Sequence, residues 1–206
     1  MKTLNIEKLD WEKMQDLIPA IIQDSNTRQV LMLGYMNPAA LDDTLTQGKV
    51  TFYSRSKSRL WMKGETSGNT LEVVSILQDC DNDSLLLQVK PTGPTCHEGT
   101  QSCFGETNDL GIGFLAKLQA LIQTRYQEKP ENSYTTELFN AGINRCAQKV
   151  GEEGVEVALA AVAENEETLC NESADLLYHL LVVLQAREIP LEKVLETLKS
   201  RHKIPK

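Results

Sequence analysis

Residues 69–92, NTLEVVSILQDCDNDSLLLQVKPT, hold two runs rich in Leu, Val and Ile around an acidic centre, and the reading of that centre decides the fold of the first half of the chain. The runs predict two strands that meet at residues 78–84, QDCDNDS. Asp and Asn bond their own backbone in tight turns, so they suit the junction. Turn chemistry does not account for Cys80. Side chains alternate along an extended strand, which would put Asp79, Asp81 and Asp83 on one side and Cys80 on the other. One short segment is thus expected to feed two sites, with carboxylates for a hard cation such as Mg2+ and a thiolate for Zn2+.

Outward from this pair, IPAIIQD (18–24) and RQVLMLGYM (28–36) read as a hairpin. NPAALDDTLTQGK (37–49) reads as a short helix with Asn37 as N-cap, Pro38 in its first turn and Gly48 past its end. VTFYS (50–54) and RLWMKG (59–64) add strands. From about residue 114 the period becomes helical, over 114–129, 134–165, 166–188 and 190–203, with Pro130 and Pro190 as breaks and Ser133 or Thr135 as a cap. The expected class is α+β: a β-rich metal-binding domain over 1–113, then an all-α bundle over 114–206, joined by the linker-like GETNDLGIG (105–113).

A formal net charge of -8 over 206 residues argues against a broad grip on nucleic acid, which needs a basic face. The first residues, MKTLNIEKLDWEKM, lack the apolar stretch of a signal peptide, and VALAAVA and LLVVL fall far short of the ~20 residues that span a bilayer. A cytoplasmic protein without membrane or nucleic-acid partners is expected. Five cysteines, an odd number, fit reduced thiols or metal ligation better than a disulfide framework. Cys146 and Cys170 sit in helical patterns and read as small buried hydrophobes.

Cys80, Cys96 and Cys103 are three thiols, an incomplete tetrahedron of the kind that leaves zinc an open position for water. His97 is then either a fourth ligand or a base beside that water. Arg55, Lys57, Arg59 and Lys63 precede a turn rich in Gly, Ser and Thr, a combination suited to phosphate.

In the second half, Glu152, Glu153 and Glu156 fall within an arc of ~100° on one helix, and Glu172 and Asp175 share a face of the next. Val155, Val157, Leu159 and Val162, with Leu176, Leu177, Leu180 and Leu181, suggest that both helices are largely buried. Facing carboxylates there would repel without a cation, so a magnesium cage is expected, with Lys149 one turn away to meet a phosphate.

The segments FYSRSKSRLWMKGETSGN, QDCDNDSLLLQV and CHEGTQSCF resemble phosphoribosyl-AMP cyclohydrolases. KVGEEGVEV and NESADLLYHLLVVL resemble the Glu-Glu-x-x-Glu and Glu-x-x-Asp pair of the all-α nucleotide pyrophosphohydrolases. Together the halves resemble the bifunctional histidine-biosynthesis family that joins cyclohydrolase to phosphoribosyl-ATP pyrophosphohydrolase. The resemblance implies zinc on Cys80, Cys96 and Cys103, magnesium on Asp79, Asp81 and Asp83, and a homodimer in which Cys80 shares its metal with the partner copy's other two thiols. It implies magnesium on Glu152, Glu153, Glu156 and Asp175, assisted by Glu172, with phosphoribosyl-ATP and phosphoribosyl-AMP as substrates. Arg55, Lys57, Arg59, Trp61, Glu65 and Ser67 are the expected substrate contacts; Lys63, His97 and Lys149 are the expected catalytic groups. A general nucleotide pyrophosphohydrolase with a zinc-binding dimerisation domain, and a metal-dependent interaction protein, are the competing readings.

Overall fold

The computed structural model describes residues 6–105 and 113–202. The chain divides into two compact units, Met1–Phe114 and Leu115–Lys206. The linker expectation over 105–113 falls almost wholly outside the described residues.

In the first unit a 3-10 turn, Ile6–Lys8, precedes β1 (Ile18–Asp24) and β2 (Val30–Met36). Then follow α1 (Pro38–Gln47), β3 (Thr51–Ser54), β4 (Arg59–Met62), β5 (Leu71–Gln78) and β6 (Leu85–Pro91). Four strands form a sheet in the order β2-β1-β6-β5, and β3 pairs with β4 as a separate ribbon. β1 runs antiparallel to β2 (Ile18 opposite Met36) and parallel to β6 (Ala20 opposite Leu85), while β5 pairs antiparallel with β6 (Gln78 opposite Leu85). Ile18, Ala20 and Ile22 on β1 and Leu85, Leu87 and Val89 on β6 are buried at every second position, the period-2 signature of a sheet with one face on a core. Leu31, Met36, Leu41, Val50, Phe52 and Leu71 complete that core.

α1 follows from its sequence: Asn37 Oδ1 accepts from the Ala40 N–H at 2.9 Å, and Gly48, at φ 67, ends the helix in a conformation a Cβ would oppose. Thr44 Oγ1 donates to Ala40 O at 2.8 Å and accepts from the Thr51 N–H at 2.9 Å, which pins α1 to β3.

The second unit holds α2 (Gly113–Glu128), α3 (Tyr134–Asn140), α4 (Ile143–Ala163), α5 (Glu166–Ala186) and α6 (Leu191–Arg201). Ser133 caps α3. The single helix expected over 134–165 is two, because Gly142 takes φ 86 between α3 and α4, a left-handed conformation that breaks the helical run. The core of this unit is small: Ile122, Leu138, Cys146, Leu181 and Val182. Cys146 is buried as expected, but Cys170 is exposed. The expected burial of the α4 and α5 apolar residues is also corrected, since Val155, Leu159, Leu177 and above all Val162, 89% accessible, face outward. Helical period marks an apolar face without saying what covers it. Among the described residues no helix is long and apolar enough to cross a membrane.

Gly34 on β2 lies under the Phe52 ring: a Cβ there would stand 2.3 Å from Phe52 Cε1. Phe52 is buried and its ring centroid lies 5.7 Å from that of Trp61, so it has little room to retreat. Gly34→Ala is expected to cost about 1–3 kcal/mol of overpacking, read as a lowered denaturation midpoint, and an unchanged midpoint would show that the ring is free to move.

Candidate functional site

The acidic junction between β5 and β6 is a turn, not extended strand. Asn82 sits at φ 65, and Asp79 Oδ1 accepts from the backbone N–H groups of Asp83 (3.0 Å) and Ser84 (3.2 Å), while the Ser84 hydroxyl donates to Asp79 Oδ2. Ligand oxygens of Asp79, Asp81 and Asp83 therefore converge to within 4.8 Å of one another through chain reversal, which corrects the expectation of strand alternation. Burial pushes the Asp79 carboxyl up, but the hydrogen bonds from Ser84 and Asp83 outweigh it and hold the group below its usual range. Lys13, which carries no motif signal, places Nζ 2.9 Å from Asp81 Oδ2 and 2.6 Å from Asp83 Oδ2. Those two carboxylates raise the Lys13 ammonium well above its ordinary pKa.

A cavity of about 440 Å³ opens in the same unit. β4 and the turn after it contribute Trp61, Lys63, Glu65 and Ser67 to its wall, and the loop after β6 contributes Cys96, His97 and Cys103. That loop is tied to β2: the Cys103 N–H donates to Leu31 O at 2.8 Å, and Ser102 Oγ donates to Val30 O at 2.9 Å. Cys96 Sγ lies 3.8 Å from His97 Nδ1. The Glu98 backbone N–H, followed by Thr100 and Cys103, holds the Cys96 thiol below its ordinary pKa. Burial, and then the Cys96 charge, pushes the Cys103 thiol up. The two thiols are thus shifted in opposite directions, and thiols beside an imidazole are a donor set suited to zinc.

Cys80 stands apart from this wall: it is exposed in the β5–β6 turn, with Sγ 3.8 Å from Asp81 Oδ1. Among the described residues, no thiol belongs to a group of three ligand atoms within 4.8 Å. Arg55, Lys57 and Arg59 also lie outside the cavity lining. Arg55 stacks 4.0 Å from the Tyr35 ring centroid, the Lys57 N–H donates to Ser54 Oγ, and Arg59 pairs with Glu65. That pairing lowers the Glu65 carboxyl below its usual pKa. Asn69 and Thr66 line the cavity as well; the Gly- and Ser-rich turn was their sequence signal. Gly64, at φ 86, would put a Cβ 2.3 Å from Asn69 O, so this turn requires glycine there.

In the second unit Glu153 and Glu156 on α4 and Glu172 on α5 bring ligand oxygens within 4.8 Å of one another. Lys149 Nζ lies 2.5 Å from Glu153 Oε1 and 3.1 Å from Glu152 Oε2. Glu152 points instead to Lys149, Arg145 (3.3 Å) and Gln148 (2.8 Å), and exposed Asp175 is not part of the converging group. Lys149 holds Glu153 below its usual pKa, whereas Glu156 is pushed up by its hydrogen bond to Glu153 and by the charge there. Carboxylates respond in this way where negative charge exceeds positive, and all-oxygen donors suit a hard divalent cation. His179, 4% exposed on α5, places Nε2 3.6 Å from Glu153 Oε1. Burial lowers its pKa. Its spacing of four from Asp175 and seven from Glu172 on one helix face was the signal that could have singled it out.

Residues 32–105 match the family model for phosphoribosyl-AMP cyclohydrolase, and residues 115–202 match that for phosphoribosyl-ATP pyrophosphohydrolase. Over 195 residues the chain is 57% identical to the histidine biosynthesis bifunctional protein HisIE of Escherichia coli strain K12, covering 95% of this chain and 96% of that protein. It is 54% identical, with the same coverage, to the HisIE proteins of Bacteroides thetaiotaomicron and Salmonella typhimurium. With both family matches in one polypeptide and identity running along nearly its whole length, the chain belongs to the family of bifunctional histidine-biosynthesis hydrolases.

Proposed function

We propose that the two hydrolytic activities of this family are divided between the two units. Residues 114–206 form the pyrophosphohydrolase domain, which takes phosphoribosyl-ATP and one water to phosphoribosyl-AMP and pyrophosphate. Residues 1–113 form the cyclohydrolase domain, which uses a second water to open the bond between N1 and C6 of the adenine ring. The observation that carries this reading is the segregation of donor types. Cys96, Cys103 and His97 line a cavity in the first unit, while the carboxylates of Glu153, Glu156 and Glu172 converge in the second.

In the cyclohydrolase cavity, Trp61 offers a ring braced from behind by Phe52, a suitable face for an adenine base. Lys63, 8% exposed in the wall, holds a positive charge where an anionic substrate enters. Ser67 and Glu65 supply polar contacts, with Arg59 fixing the Glu65 carboxylate. Arg55 and Lys57, on the exposed turn between β3 and β4, attract the phosphoribosyl phosphate from outside the cavity. His97, beside Cys96, accepts the proton released as water adds to C6.

Zinc on the thiols and magnesium on the carboxylates, when bound, supply water activated at neutral pH and charge to match phosphate oxygens. Cys96 and Cys103 would hold the first, with Cys80 of a second copy completing the set as the family resemblance implies, a reading supported by the separation of Cys80 from them within one chain. Asp79, Asp81 and Asp83 would hold magnesium in the first unit, where Lys13 now meets two of them. Glu153, Glu156 and Glu172 would hold it in the second unit, with Glu152 and Asp175 at its margin and Lys149, beside Glu153, supplying positive charge for a phosphate oxygen. The homodimer this requires also agrees with Val155, Leu159 and Val162 facing outward. Free thiols and an amino-acid biosynthetic role support a cytoplasmic location.

Cys96→Ser is expected to lower ring opening by at least the ~10–100-fold typical of losing even an outer-shell metal partner, while pyrophosphate release continues. Loss of both activities in a folded variant would overturn separate sites. Glu156→Ala is expected to do the reverse, and wild-type pyrophosphate release would remove it from the site. Residues 114–206 expressed alone should retain helical circular dichroism; a disordered fragment would count against the domain boundary.

A further inference from the structure

We infer that His179 is a positioning residue for the carboxylate cluster: it donates Nε2–H to Glu153 Oε1 and thereby turns the other oxygen, Oε2, toward Glu156 and Glu172 as the cation ligand. The inference rests on reading that cluster as a divalent-cation site.

His179 and Glu153 are both 4% exposed, so neither can satisfy its polar atoms from bulk water. The imidazole is held edge-on between two rings, with Tyr134 at 5.9 Å and 82° and Tyr178 at 5.1 Å and 73°. Nδ1 is buried without a hydrogen-bond partner, whereas Nε2 faces Glu153 Oε1 at 3.6 Å. A proton on Nδ1 would be a buried donor with no acceptor, and a proton on Nε2 has one. The Nε2–H tautomer follows. At 3.6 Å the contact is longer than a closed hydrogen bond, and a small shift of the carboxylate completes it.

The same oxygen, Oε1, receives Lys149 Nζ at 2.5 Å. Two groups from two helices, Lys149 on α4 and His179 on α5, therefore face one oxygen of Glu153. Oε2 has neither. A carboxylate locked in this way presents a single oxygen in a defined direction, as outer-shell partners do for metal ligands. The ring also lies one and two turns along α5 from Asp175 and Glu172, on the same face of that helix.

The test uses the full-length chain and Mn2+ alone, titrated calorimetrically. Glu156→Ala identifies the binding phase that belongs to the second unit. If the wild type has no phase that Glu156→Ala removes, the cation-site reading falls and this inference falls with it. If that phase is present, His179→Phe and His179→Asn should weaken it ~10–100-fold, the usual effect of deleting an outer-shell partner. His179→Gln, whose amide N–H reaches the Nε2 position, should restore most of the affinity. Asn reaches only the Nδ1 position, so if the Phe variant fails to fold, the Gln–Asn comparison decides alone. Unchanged Mn2+ affinity in the Phe or Asn variant, or Gln binding as weakly as Asn, overturns the positioning role.

Discussion

Carboxylates whose oxygens approach within 4.8 Å repel one another unless positive charge lies among them, and the described residues create that situation twice, in separate units. Each time a lysine provides part of the answer: Lys13 against Asp81 and Asp83, Lys149 against Glu152 and Glu153. Each ammonium meets two carboxylates, and in the second unit Glu156 is pushed above its usual range by its hydrogen bond to Glu153 and by the charge there. The rest of each unit can be understood as scaffold that keeps these groups together against their repulsion.

The scaffolds do so differently. In the first unit, hydrogen bonds fix loops onto a well-packed core: Asp79 closes its own turn, the Asp10 N–H reaches Asn82 O at 2.9 Å, and Cys103 is hung from Leu31. Fifteen residues of intervening chain thereby leave Cys80 on one turn and Cys96 in the cavity wall. In the second unit there are no such loops at the site. Rigid α4 and α5 carry the carboxylates, and the small core holds the helices at the right separation.

Much of this was legible from residue patterns. The strand pair of 71–91, the cap and stop of α1, and the helical second half all follow from local periodicity and backbone chemistry. The candidate ligands were legible because thiols, imidazoles and carboxylates cluster at unusual density in the sequence. The break at Gly142 was missed because one glycine in a long helical run is tolerated as often as it terminates. The turn at 79–84 was legible in its Asp and Asn, but strand alternation does not hold across it, because Asp79 capping two backbone N–H groups is a choice between local conformations of similar cost.

Residue types and their spacing were enough to establish the division into a β-rich and a helical half and the family, and to single out the candidate donors. These depend on short-range periodicity and on the chemistry of individual side chains, both of which are present in the unfolded chain. Folding alone decided which carboxylates meet, that Arg59 pairs with Glu65, that Lys13 reaches Asp81 across 68 positions of sequence, and that His179 backs Glu153. Such pairings depend on distances between elements far apart in the chain, and those distances exist only once the two cores have packed.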